Sequence, residues 1–191
     1  MYAPTWSPYS SLPSMGEALI EALGDAGYAV IAKLHDRSRE TRYVNSGGVD
    51  WGARLEPLLQ QNGGALATGA NSAAYLPGAD VLITDHSSVG FEFLLLDRPL
   101  IRIDVPELIA RTDIEPAYVE LLVNAATTTA SVRDVVSAVE RAFAEPHQGS
   151  ENRRAVAREM FYRPGGATER AVRETYDVLE LEPQAAAAPA E

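Results

Sequence analysis

Two patterns of apolar residues alternate along the chain: short continuous runs, and longer stretches with a period near 3.6. Tyr28–Leu34 (YAVIAKL) is a compact, mostly apolar run that predicts a strand buried on both faces, as in a parallel sheet. Val81–Thr84 (VLIT) and Leu100–Ile103 (LIRI) predict two more strands, and Ala65–Thr68 a short one. Met1–Trp6 begins as a β-like run broken by Pro4. Between these runs, Met15–Ala26 repeats apolar residues at helical spacing and meets a stop at Gly27. Trp51–Gln61 predicts a short helix, Ser72–Ala79 a helical turn, and Ser88–Asp97 a helix halted by Arg98-Pro99. His35–Asp50 and Asp104–Pro116 carry no period and predict irregular segments. Ser131–Ala144 sets Val132, Val135, Val136, Val139 and Phe143 on one stripe. Glu151–Met160 and Thr168–Leu181 predict the last helices, and the Ala/Pro-rich Pro183–Glu191 a disordered tail.

Strands alternating with helices predict an α/β fold with a doubly wound parallel sheet. The length of 191 residues suits one domain, expected over residues 1–182, with a core of its own. With 46% apolar and 23% charged residues the composition is that of a globular protein. No apolar run approaches the 18 residues of a membrane span, and no secretory signal is expected at the N-terminus. The absence of cysteine excludes disulfides and thiolate metal sites. A net charge of −11, from 27 acidic and 16 basic residues, argues against a nucleic-acid partner. Lys33 is the sole lysine.

Open parallel sheets bind ligands beyond the carboxyl ends of their strands. That directs attention to Thr5-Trp6, His35-Asp36, Gly69, Asp85 through Ser88, and Asp104. The densest group is Ile83-Thr84-Asp85-His86-Ser87-Ser88-Val89-Gly90-Phe91-Glu92. A strand ends there and a helix begins at Ser87 or Ser88, serine being a favoured N-cap. Two hydroxyls beside unpaired first-turn amides make a phosphate cradle that needs neither metal nor lysine. Glu92, four residues after Ser88, lies one turn deeper on the same face, where the ribose of a bound nucleotide would fall. Asp85 and Ser88 also fit a turn residue and an N-cap with no further role. A carboxylate among Val89, Phe91, Phe93, Leu94 and Leu95 is harder to explain without a ligand. His35, at the end of its strand, is placed to donate to a phosphoryl oxygen or a leaving group. Lys33 reads as a snorkelling or ion-paired side chain, and His147 as a structural or solvent-exposed one.

These residues resemble a known family. Tyr2-Ala3-Pro4-Thr5-Trp6, Lys33-Leu34-His35-Asp36, the stretch from Ile83 to Pro99, and Tyr162 through Arg170 are similar, in order, to the motifs of the CDP-glycerol glycerophosphotransferases. These are the teichoic-acid polymerases and primases, and the likeness is to their C-terminal, nucleotide-binding half. A more distant likeness extends to the UDP-GlcNAc 2-epimerases. Asp36 stands where the family has proline, His86 where tyrosine is common, Pro164 for an aspartate and Gly166 for a lysine. The resemblance implies the Rossmann-like C-terminal domain of a GT-B fold, with CDP-glycerol or a related nucleotide-diphosphate as donor. Ser87 and Ser88 would hold the pyrophosphate, with Asp85 beside them, and Glu92 the ribose. His35 would stabilise the departing CMP, Thr5 would line the phosphate pocket, and Thr168 would add a second helix N-terminus. Arg163 or Arg170 would replace the cation lost at Gly166. An N-terminal acceptor half, or a partner subunit supplying it, is expected outside this sequence. The implied location is cytoplasmic, with the inner face of the plasma membrane reached through a partner. No Asp-x-Asp is present, so neither a metal nor another cofactor is indicated.

Three other readings compete. A serine hydrolase would use His86-Ser87-Ser88-Val89-Gly90 as a near-match to the nucleophile elbow, with His147 as its base. An HD phosphohydrolase would use His35-Asp36, with too few further histidines. A non-catalytic nucleotide-binding or subunit-interaction domain would keep the site without turnover.

Overall fold

The structure is a computed structural model that describes residues 1–69 and 71–181. It divides into two compact units, Met1–Met160 and the residues from Phe161 onward. The predicted tail, Pro183–Glu191, lies outside the described residues. No helix of the described residues is long and apolar enough to cross a membrane.

The first unit is built on a parallel sheet. Its strands are β1 (Ile31–Ala32), β2 (Ala65–Leu66), β3 (Leu82–Thr84), β4 (Leu100–Ile103) and β5 (Thr127–Thr129). β1 pairs with β2, and β3–β4–β5 form a second run, all parallel. Tyr2 joins the two runs, bridging Ala32 on one side and Ile83 on the other. Its amide donates to Ile31 O at 2.8 Å, and the Ala3 amide donates to Ile83 O at 2.9 Å. With the Tyr2 segment counted as a strand, the order is that of the Rossmann fold, 3-2-1-4-5-6 in chain sequence. The order in which strands are added reverses between the Tyr2 segment and β3, so the ligand crevice of such a sheet belongs at their carboxyl ends.

Helices cover both faces. α1 (Ser11–Asp25), α3 (Trp51–Gln61) and α7 (Val132–Ala144) pack on one side. Their buried Leu19, Leu23, Leu55, Val135 and Val139 join Ile101 and Ile103 in one core. The alternate β4 residues, Leu100 and Arg102, face the other layer, which holds α4 (Ser88–Leu94), α6 (Pro116–Ala125) and α8 (Ser150–Met160). Short α2 (Tyr43–Ser46) and α5 (Pro106–Arg111) complete this unit. In the second unit, α9 (Ala167–Val178) follows a turn with left-handed Arg163, Gly165 and Gly166.

Most predicted elements are present, and the departures have physical causes. α1 starts at Ser11 rather than Met15, because a proline in a helix's first turn lacks only an amide that has no partner anyway, and Pro13 sits there. The segments α5 and α6 open with Pro106 and Pro116 in the first helical turn, where proline initiates rather than breaks. The sequence pattern predicts an irregular segment over Asp104–Pro116, which α5 replaces, and leaves α6 beyond Pro116 unmarked. The His35–Asp50 segment holds a 3₁₀ turn (Asp36–Arg39) and α2. α4 ends at Leu94, three residues early, and the chain turns through left-handed Asp97 (φ 51°).

That turn is held by an ion cluster. Asp97 accepts from Ser150 Oγ (2.7 Å), Arg154 Nε (2.7 Å) and Arg153 Nε (3.2 Å). Arg153 is buried at 3% exposure and also donates to the carbonyls of Asp97, Pro146 and Gln148. Partial burial raises the Asp97 carboxyl, but the Ser150 and Arg154 hydrogen bonds and the two arginine charges outweigh it and hold the group below its ordinary 3.8. A depressed folded value means stability that is complete above the unfolded value and lost as pH falls through the folded one. Asp97→Asn is therefore expected to lower stability by about 2–3 kcal/mol at pH 6. The gap from wild type should close as denaturant midpoints are followed from pH 6 to pH 2. Equal midpoints at pH 6 would contradict the assignment.

Candidate functional site

At the carboxyl ends of the Tyr2 segment, the strand through Lys33, and β3 lies a cleft of about 220 Å³. Ala3, Pro4, Lys33 through Asp36, Ser72, Ser87 through Val89, and Glu92 line it. His35, Ser87, Ser88 and Glu92, selected from sequence, thus share one cavity. So does Lys33, which had been set aside as a snorkelling or paired side chain.

The turn from β3 into α4 is shaped by Asp85. Its carboxylate is fully buried and accepts four hydrogen bonds. Oδ1 receives the amides of Thr5 (2.8 Å) and His86 (2.7 Å). Oδ2 receives the amide (3.0 Å) and hydroxyl (2.9 Å) of Ser11, the first residue of α1. The positive end of that helix adds to the field that holds the charge. Tyr2 Oη donates to Ser11 Oγ at 2.9 Å, and burial, then the Asp85 charge, drives the phenol's pKa far upward. Thr5 Oγ1 donates to the His86 carbonyl at 2.7 Å.

Asp85 and Thr5 therefore fix the turn and are not part of the cleft wall, a correction to the ligand roles expected of them. Both Asp85 oxygens are saturated, and the Thr5 hydroxyl proton is engaged. Gly90 completes the turn: a Cβ there would stand 3.0 Å from Leu122 Cδ1 and 3.4 Å from Thr84 Cγ2, so glycine lets α4 approach β3 and α6.

The residues that do face the cleft leave their polar groups unused. Ser87 occupies the N-cap of α4 in extended conformation, yet its hydroxyl makes no capping bond. Among the described residues neither serine hydroxyl, nor the half-buried Glu92 carboxylate, has a hydrogen-bond or ionic partner within the protein.

His35 caps the 3₁₀ turn: its Nδ1 accepts from the Arg37 amide at 3.1 Å. The neutral ring therefore carries its proton on Nε2. Burial lowers its pKa; Asp36 opposes this, and Arg37 and Lys33 reinforce it, for a net value below 6.5. At neutral pH His35 is a neutral donor. The Trp6 ring lies beside it at 6.0 Å, with the Arg37 guanidinium 4.3 Å from the Trp6 centroid. His86 is lowered by burial and by the Arg102 charge, and its Nδ1 has no partner.

Thr168 lies in the first turn of α9, in the second unit. There Arg170 donates to the carbonyls of Gly165 (2.7 Å) and Arg163 (2.8 Å), and Arg163 stacks on Tyr162. Arg170 thus closes its own loop. His147 is exposed and borders a groove with Asp80, Val81 and Pro99, at the amino ends of β3 and β4. It is at the opposite end of the sheet from Ser87 and Ser88, so the hydrolase triad is not assembled.

Fold and cleft together define a Rossmann-like α/β protein with a cleft at the switch point of its sheet. Residues 1–176 match the model of the family described as CDP-glycerol:poly(glycerophosphate) glycerophosphotransferase, and the chain belongs to that family. The family indicates a transferase of glycerophosphotransferase type. No curated protein matches the chain.

If Asp85 organises the turn, Asp85→Asn, which points an NH₂ at the Ser11 donors, should destabilise the protein by about 3 kcal/mol. Thr5→Val should cost about 1 kcal/mol. Urea denaturation of the three proteins checks both. An Asp85→Asn variant as stable as wild type would refute the role.

Proposed function

We propose that Met1–Met160 binds the nucleoside-diphosphate end of a donor of the CDP-glycerol type. Its glycerol phosphate, or a related polyol phosphate, then passes to a poly(glycerophosphate) or similar teichoic-acid acceptor. The observation that carries this reading is the set of polar groups without a partner among the described residues that share one cleft: two serine hydroxyls, the Glu92 carboxylate and Nε2–H of His35, whose Nδ1 is held by the Arg37 amide.

In this reading the diphosphate sits against the Ser87 and Ser88 hydroxyls and the first amides of α4. Glu92, one helical turn on, accepts from the ribose hydroxyls. Its ionised form has two oxygens for a vicinal diol. An acceptor hydroxyl attacks the β-phosphorus, the P–O bond to the α-phosphate breaks, and CMP leaves with the bridging oxygen. Charge grows on that oxygen and on the α-phosphate as the bond lengthens. His35 Nε2–H is the neutral donor suited to meet it, and the backbone amide on Nδ1 keeps the ring from rotating. The chemistry is then one of positioning and charge stabilisation.

Calorimetric titration tests the reading. Wild type is expected to bind CDP. Glu92→Ala should weaken CDP by about 10-fold or more, the loss of one charge-assisted hydrogen bond, while leaving inorganic pyrophosphate unaffected. Ser88→Ala should weaken both. Failure of wild type to bind CDP, or unchanged CDP affinity in Glu92→Ala, would overturn it.

A further inference from the structure

The electrostatics of the cleft floor point to a residue that the foregoing reading does not use. Lys33 directly follows β1, beside the Tyr2 segment, where its amide donates to Tyr2 O at 2.9 Å. Its side chain is buried, with 8% exposure, and lines the cleft beside Ser87, Ser88 and Glu92. The ammonium makes one hydrogen bond, 2.8 Å to the carbonyl of the adjacent Leu34. Among the described residues no carboxylate stands within 4.0 Å of it, although Asp36 and Glu92 line the same cavity.

Two ordinary explanations for such a lysine fail. A snorkelling lysine buries its stem and leaves its head in water; here the head stays at the cleft floor. A structural buried lysine has a counter-ion, because an unpaired buried charge is destabilising. Lys33 has none, and two of its three N–H donors lack an acceptor among the described residues. It is also the one lysine or arginine among the described residues of the cleft wall.

We propose that Lys33 is the phosphate-binding cation of this cleft, held without a counter-charge in the empty protein so that a diphosphate supplies it. The inference rests on the reading of the cleft as a diphosphate site and adds the residue that neutralises the charge. The consequence is a trade between stability and binding: the group that grips the ligand weakens the empty protein.

Lys33→Met, of similar length and without charge, tests this by calorimetry and thermal melting with inorganic pyrophosphate and CDP. The variant should bind both ligands at least about 30-fold more weakly. Its ligand-free melting temperature should equal or exceed that of wild type, and the rise produced by pyrophosphate should vanish. Because Lys33 is the sole lysine, wild type labelled with ¹³C-lysine gives one Cε resonance. That resonance should shift on saturation with pyrophosphate, whether or not the variant folds. Affinities in Lys33→Met within twofold of wild type, or an unmoved Cε resonance at saturation, would overturn the proposal while leaving the nucleotide reading intact. Pyrophosphate binding that depends on Lys33, with no binding of CDP, would sustain the proposal and defeat the nucleotide reading. Wild type that binds neither ligand would defeat both.

Discussion

A single buried carboxylate sets the geometry on which the rest of this structure depends. Asp85 lies where the sheet reverses its winding, and its two oxygens collect donors from three separate stretches of chain: Thr5, Ser11 and His86. Two of these stretches lead into the cleft and the third into the helix layer behind the sheet. The Thr5 segment brings Ala3 and Pro4 to the rim, Ser11 anchors α1, and His86 begins the turn that presents Ser87 and Ser88. An ionised group with no exposure is tolerable only if all its acceptor capacity is used. Asp85 meets that condition with four short hydrogen bonds and the positive end of a 15-residue helix.

Around this centre the long motif from Ile83 to Pro99 separates into parts with different duties. Asp85 and Gly90 shape the turn and let α4 pack closely. Ser87, Ser88 and Glu92 stay unbonded on the cleft side. Asp97 and Arg98 lock the far end: Asp97 through Arg153 and Arg154, and Arg98 through 2.7 Å hydrogen bonds to the carbonyls of Pro77 and Ala79. A motif read as a binding signature is thus largely a scaffold, with three of its seventeen residues presenting unbonded polar groups at the cleft.

The alternation of apolar runs and helical periods was enough to read the parallel α/β class, the ends of β4 and α3, and the cleft formed by His35, Ser87, Ser88 and Glu92. What escaped did so for identifiable reasons. The prolines at 13, 106 and 116 look like breakers in sequence and act as initiators in space, since their missing amides fall in the first helical turn. β5 is Thr127-Thr128-Thr129, an edge strand without an apolar run, so hydrophobic patterning leaves it unmarked. The surroundings of Lys33 are not legible in the sequence, because spacing cannot reveal whether an ammonium has a counter-ion. Asp85 and Thr5 were taken for ligand groups because their partners lie 74 to 81 positions away along the chain. Pairings at that distance carry no local trace.

The most direct test of the account is a crystal structure of the protein with CDP. The diphosphate should rest against the Ser87 and Ser88 hydroxyls with Lys33 Nζ within about 3 Å of a phosphate oxygen. The ribose hydroxyls should meet Glu92, and Asp85 should remain bonded to Thr5, Ser11 and His86. CDP bound at another place on the domain, or bound here with Glu92 and Lys33 both turned away from it, would contradict the account.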